Sequence, residues 1–264
     1  MSITICNFSD VYKFQPFMEG LRHSGEATWI DLSQVPGTDC YCDDEAVATI
    51  RKKNADAGIT DARGIRFIDN GNYHYMSKIW TDRIAEPFSL VVFDHHPDMQ
   101  EPRFGDILSC GGWVKKALEE NKFVDNVVII GVADHLVEEI RTEIASHPAG
   151  ARNDNVLFVC ESEIANHTSH IPHFTSPLPL YISIDKDVLS PAYAATNWDQ
   201  GSLSLEQMKA FIEKLAKDRK IIGVDICGER AQDFSGDEHL TLQEADTLND
   251  RTNRELVEFL EKFF

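Results

Sequence analysis

The sequence predicts an α/β protein: a three-layer α/β/α sandwich built on a mostly parallel central sheet. Short apolar, β-branched runs such as Val127-Val128-Ile129-Ile130 have the composition of strands buried on both faces. They alternate with amphipathic stretches long enough to be helices, the pattern of strand, crossover helix and parallel strand. No repeat or low-complexity linker interrupts the 264 residues, so one domain over 1–264 is expected.

Ile3 to Phe8 and Thr28 to Leu32 have the composition of a first and a second strand. Asp43-Asp44-Glu45 opens a helix expected to run to about Asn54, its acidic side chains complementing the helix dipole. Gly64 to Asp69 is a short strand that leads into Gly71-Asn72-Tyr73-His74, and Met76 to Ile84 is helical. Ser89 to Phe93 is an apolar strand ending on Asp94-His95-His96-Pro97-Asp98. A helix over Gly112 to Leu118, a strand over Asn126 to Val132, a helix over Leu136 to Ser146 and a strand over Val156 to Cys160 follow. Asn166 to Pro179 breaks the alternation, because Pro172, Pro177 and Pro179 exclude a long helix and a central strand alike. Its His167, His170 and His173 read first as an accidental cluster, then as a substrate-facing loop, and last as a second metal site. Leu180 to Ile184 is a strand, and Ser204 caps a helix to Lys217 whose Leu205, Met208, Phe211, Ile212 and Leu215 share one face. Ile221 to Ile226 is the last strand, and an amphipathic helix from Thr241 to Phe263 closes the chain.

A composition of 42% hydrophobic and 26% charged residues is that of an ordinary globular protein. The net charge of -19 is unusual. Most of it reads as solvated surface, but it disfavours phosphate backbones and anionic membranes, so neither nucleic acid nor membrane is an expected partner. A small cationic molecule or a metal ion fits better. No stretch approaches the roughly 18 apolar residues of a membrane span, and the start lacks a signal-peptide pattern, so a cytoplasmic location is expected. Six scattered cysteines default to thiols there. Cys40-Tyr41-Cys42 has one residue between its thiols, which is neither a zinc-knuckle nor a redox spacing.

Ligands of open parallel sheets gather beyond the carboxyl ends of the strands. The residues that follow the expected strands are His74, then Asp94, His96 and Asp98, then Asp185 and Asp187. Asp94, His96 and Asp98 share a face if the backbone there stays extended. Alone, that stretch also reads as a solvated acidic turn. Four carboxylates and two imidazoles at one spot repel unless cations neutralise them, and two divalent ions balance four negative charges. Oxygen-rich donors with a minority of imidazole favour manganese over zinc.

Asp94-His95-His96-Pro97-Asp98 resembles the Asp-x-His-x-Asp motif of the arginase/agmatinase (ureohydrolase) family, and Ser183-Ile184-Asp185-Lys186-Asp187 resembles its Ser-x-Asp-x-Asp motif. Gly71-Asn72-Tyr73-His74 occupies the place of the family's Gly-Gly-Asp-His segment. The resemblance implies the arginase-like fold, a homo-oligomer and two Mn2+. One ion would be held by His74, Asp94, Asp98 and Asp185, the other by Asp94, His96, Asp185 and Asp187, with Asp94 and Asp185 as bridges. It also implies hydrolysis of a linear C–N bond in a guanidino, amidino or formimino substrate by a water that the two ions share and acidify.

Three departures separate this chain from the family pattern. The family's proton-shuttling His-Gly pair is replaced at Ser109-Cys110-Gly111-Gly112, so either Cys110 or a nearby imidazole, His95 or His135, relays protons or the substrate differs, and Cys110 reads equally as a packed small residue. The glutamate of an Asp-x-x-Glu pattern comes one position late, as Glu229, which would contact a cationic substrate or pair with Arg230. Pro-Gly-Thr-Gly is replaced by Ala194 to Asp199, where Trp198 would reshape the pocket or simply cap the fold. Two alternatives stay open: a deacetylase-like amidohydrolase with one zinc, and a non-catalytic relative that keeps its metals.

Overall fold

The computed structural model describes residues 1–101, 105–146, 155–166, 176–232 and 240–264. Its strands are β1 (Ile3–Asn7), β2 (Ala27–Asp31), β3 (Tyr41–Cys42), β4 (Gly64–Phe67), β5 (Phe88–Phe93), β6 (Leu108–Ser109), β7 (Val124–Val132), β8 (Val156–Cys160), β9 (Leu180–Asp185) and β10 (Ile221–Cys227). Eight of them form one sheet in the order β2-β1-β4-β10-β9-β5-β7-β8, and every pairing in it is parallel. β3 and β6 make a separate antiparallel ribbon.

The helices are α1 (Pro16–Ser24), α2 (Asp44–Asp56), α3 (Met76–Thr81), α4 (Trp113–Glu120), α5 (Asp134–Ser146), α6 (Glu161–Ala165), α7 (Leu205–Ala216) and α8 (Leu242–Leu260). Because side chains alternate across a strand, β5 sends Val91 and Phe93 into one core and Leu90 and Val92 into the other. Met18 of α1, Met208 and Ile212 of α7 and Leu256 of α8 cover the first face. Ile50 of α2, Trp80 of α3, Trp113 of α4 and Val137 of α5 cover the second. The three-layer, parallel-sheet expectation is therefore met.

Local chemistry fixes the helix starts. Asp43 caps α2, accepting the Ala46 N–H at 2.8 Å, and Ser204 and Thr241 open α7 and α8 with capping boxes closed by Gln207 and Glu244. α1 has no counterpart among the expected elements, although Pro16 at its first position and Gly25 at its end, with φ 76°, are start and stop signals. The β3–β6 ribbon was not expected either, since two-residue strands carry no periodicity. One premise is corrected. β5 stops at Phe93, and Asp98 has φ 48°, so Asp94, His96 and Asp98 meet through a turn and not along an extended backbone. His167, His170 and His173 lie outside the described residues.

β4, β10, β9 and β5 are neighbours in the middle of the sheet. Their carboxyl ends open on the same side, and His74, Cys227, Asp185 and Asp94 follow or end them.

Candidate metal centre

Each candidate ligand is held by its own short turn. The Asn70 side chain accepts the Asn72 N–H at 2.9 Å and starts the 3-10 turn Gly71–Tyr73, which His74 closes. Beyond β5 the chain folds back on its first carboxylate, Asp94 Oδ1 accepting the His96 N–H at 2.6 Å. Asp98 is fastened to the start of α4: its carbonyl accepts the Val114 N–H at 3.1 Å, and its Oδ2 accepts the Trp113 indole N–H at 2.7 Å. At the end of β9, Asp185 Oδ1 accepts the Asp187 N–H at 3.0 Å and opens the turn Lys186–Val188.

These turns bring all six residues together in two touching clusters. In the first, His74 Nδ1 lies 3.2 Å from Asp94 Oδ2, 3.0 Å from Asp98 Oδ2 and 3.5 Å from Asp185 Oδ2. In the second, His96 Nδ1 lies 3.5 Å from Asp94 Oδ1 and 2.9 Å from Asp187 Oδ2. Asp94 thus gives one oxygen to each cluster. Asp185 differs from the expected second bridge: its Oδ2 faces the first cluster, while its Oδ1 is taken by the backbone of Asp187.

A hydrogen-bond chain orients the His74 ring. Ser183 Oγ donates to Asp225 Oδ1 at 2.7 Å, so it accepts from His74 Nε2 at 2.8 Å. Nδ1 faces the three carboxylates, which hold it protonated against burial, and is the ring nitrogen a metal ion would take in place of that proton. Ser77 and Tyr181 hold Asp225 from the far side, at 2.9 and 2.8 Å. Sequence reasoning did not single out this support, although Ser183 belongs to the second aspartate motif. It also passed over Cys227, whose Sγ donates to Asp185 Oδ2 at 3.0 Å and completes a donor group with His74 and Asp185. Reading off the residue that ends the last strand, as for the other strands, would have found it.

The electrostatics describe a site short of positive charge. Burial, then repulsion from Asp94, pushes Asp98 up to about 7. Burial and the charges of Asp185 and Asp94 push Asp187 well up, and burial and Asp94 raise Asp185. Burial opposes ionisation of Asp94 too, but the His74 and His96 rings bonded to it outweigh burial and hold it below the usual carboxylate range. Among the described residues, the cavity above the clusters, about 340 Å³ in volume, is lined by five acidic side chains and by no lysine or arginine. Against burial, the same carboxylates raise both imidazoles, His96 to about 12. A buried set of four aspartates and two imidazoles whose protons a metal can replace fits a pair of oxygen-preferring divalent ions.

The other candidates fare differently. Cys110 lines the cavity. Its thiol is pushed up by its hydrogen bond with Cys40, by burial and by Asp98, all of which favour the protonated form. Glu229 is fully buried away from the cavity, bonded to Lys186, to Gln15 Nε2 at 2.7 Å and to Asn253 Nδ2 at 2.8 Å, and so does not face a substrate. The late position has a physical reason. Gly228, with φ 90°, stands where the family pattern has its glutamate, and a Cβ there would come within 2.4 Å of Asp185 Oδ1. His95 gives its backbone N–H to Asp187 Oδ1 at 3.0 Å, but its ring does not line the cavity, and His135 is exposed on α5. Trp198 stands at the mouth, 41% exposed, edge-on to His96, with its indole N–H on Asn72 Oδ1 at 3.0 Å.

The proclavaminate amidino hydrolase of Streptomyces clavuligerus has the same fold, with a TM-score of 0.67 and 17% identity over 100% of this chain and 92% of its own. An uncharacterized protein of Thermotoga maritima is 33% identical over 166 residues, 63% of this chain and 58% of its own length. An agmatinase of Halalkalibacterium halodurans is 25% identical over 154 residues, 57% of this chain and 48% of its own. The chain thus spans about half the length of the curated relatives it matches. The model of the arginase family matches residues 71–229, from the turn that closes on His74, through both aspartate motifs, to the end of the last strand. That is more than half of the sequence, and the chain belongs to the arginase family.

Proposed function

We propose that this protein is a dinuclear manganese hydrolase that cleaves a linear C–N bond of a small guanidino, amidino or formimino compound. The observation that carries this reading is Asp94, which offers one carboxylate oxygen to each of two His/Asp clusters at the floor of an acidic cavity. His74, Asp94, Asp98 and Asp185 would hold one ion, and Asp94, His96 and Asp187 the other. When bound, the pair would supply a water acidified for attack on the electrophilic carbon. Trp198 and Tyr41 give the mouth aromatic walls on which a planar cation can stack. Gln100 and Glu101 accept its N–H groups. The thiol of Cys110 does not take the proton, and neither His95 nor His135 reaches the cavity, so solvent entering past Trp198 returns it to the leaving nitrogen.

The test combines metal stoichiometry with a substrate panel. The expected result is two Mn2+ per chain and manganese-dependent release of urea, formamide or ammonia from at least one such compound. Asp98→Ala should lose one metal equivalent and at least ~100-fold in turnover, as for other lost metal-site groups. One ion per chain would point instead to a single-metal amidohydrolase. The replacement at Cys110 favours a second reading, a non-catalytic relative, in which both ions bind and no compound turns over.

A further inference from the structure

We propose that Cys40 and Cys110, meeting just beyond the β3–β6 ribbon on the wall of the cavity, form an oxidation site that a hydroperoxide converts to a reversible disulfide. A backbone contact carries the inference. Just beyond the ribbon, where Tyr41 pairs with Ser109 and Cys42 with Leu108, the chain leaves the ladder, Cys40 with φ 56° and Cys110 at the start of the 3-10 turn Cys110–Gly112. There the Cys110 N–H donates to the Cys40 carbonyl at 2.9 Å. A direct backbone hydrogen bond holds two residues at the ~5.5 Å Cα separation that a disulfide spans. Both thiols are free and both line the cavity.

The two sulfurs are not equivalent. Cys40 is half-buried and Cys110 buried. The hydrogen bond from Cys110 holds the Cys40 pKa down, which makes Cys40 the nucleophile. In the first step Cys40 sulfur attacks one peroxide oxygen: an S–O bond forms, the O–O bond breaks, and the thiol proton leaves with the other oxygen as water. In the second step Cys110 sulfur attacks Cys40 sulfur: the S–S bond forms, the S–O bond breaks, and the Cys110 proton leaves with that oxygen as a second water. The thiol pair loses two electrons and hydrogen peroxide gains them. Cys6, Cys42, Cys160 and Cys227 do not line the cavity and take no part. The step needs no metal and does not rest on the proposed hydrolysis.

The experiment treats the folded protein with one equivalent of hydrogen peroxide, alkylates the remaining thiols, and identifies the products by peptide mass after cleavage that includes Tyr41, so that Cys40 and Cys42 separate. The expected product is a Cys40–Cys110 linked pair, two hydrogens lighter than the separate peptides and split again by a reductant. In Cys110→Ser the disulfide should be absent, and Cys40 should be trapped as its sulfenic acid by a cyclic 1,3-diketone. The proposal is overturned if Cys40 and Cys110 both remain alkylated, if Cys40 is joined to another cysteine, or if the wild-type protein accumulates sulfenic or sulfinic acid in place of the disulfide.

Discussion

Asp98 keeps its proton up to about pH 7, first because it is buried and then because Asp94 is charged, and Asp185 and Asp187 are raised by the same two causes. A divalent cation entering the site must displace such protons, since carboxylates ligate in their ionised form. Below about 7 displacement of the Asp98 proton opposes binding, and above it that part of the opposition disappears. Affinity for Mn2+ should therefore rise by at least ~10-fold between about pH 6 and about pH 8, with proton release measurable by calorimetry in buffers of different ionisation enthalpy. Affinity independent of pH would mean that the site is already ionised. Cys227 acts on the same site from beneath, through its 3.0 Å bond to Asp185. Cys227→Val keeps most of the volume and removes the donor, so metal affinity should fall about 10–100-fold with little change in melting temperature. Unchanged affinity would reduce Cys227 to a packing residue.

At the scale of elements, Glu229 ties the fold together behind the cavity. It joins the end of β10 to Lys186 in the turn after β9, to Gln15 at the start of α1 and to Asn253 on α8. Lys186 is fully buried, so Glu229→Ala leaves an ammonium without its counter-charge. The expected cost is about 3–5 kcal/mol of stability, read as a lowered urea midpoint. A role in substrate contact would instead raise KM and leave the midpoint in place. The same network explains why the sequence misplaces this residue. Strand boundaries are written in local composition, but whether the residue after a strand faces the cavity or the core behind it depends on one backbone torsion, here the left-handed Gly228. The turn at Asp98 is a parallel case: the spacing of Asp94, His96 and Asp98 suggested an extended ladder, and the chain reached the same convergence by folding back.

For the molecule as a whole, the net charge of -19 and a cavity lined by acidic side chains act together on any cation that approaches. If the substrate is a guanidinium or amidinium, kcat/KM should fall several-fold between about 0.01 M and about 0.15 M salt, as the Debye length shrinks from ~30 Å to ~8 Å. An uncharged compound should show no such dependence, so the salt series also reports whether the substrate is cationic. The layered architecture and the six candidate ligands were legible in the sequence because both rest on local rules: continuous apolar runs in strands buried on both faces, and ligand-type residues placed just past a strand's end. Tertiary structure alone decided the rest. It divided the six ligands into two clusters with Asp94 between them, and it turned Glu229 into the core while leaving His95 and His135 outside the cavity. It also set Cys40 against Cys110, two residues 70 positions apart in the chain. Each of these depends on which surfaces meet when distant segments pack, and no local pattern in the sequence records that.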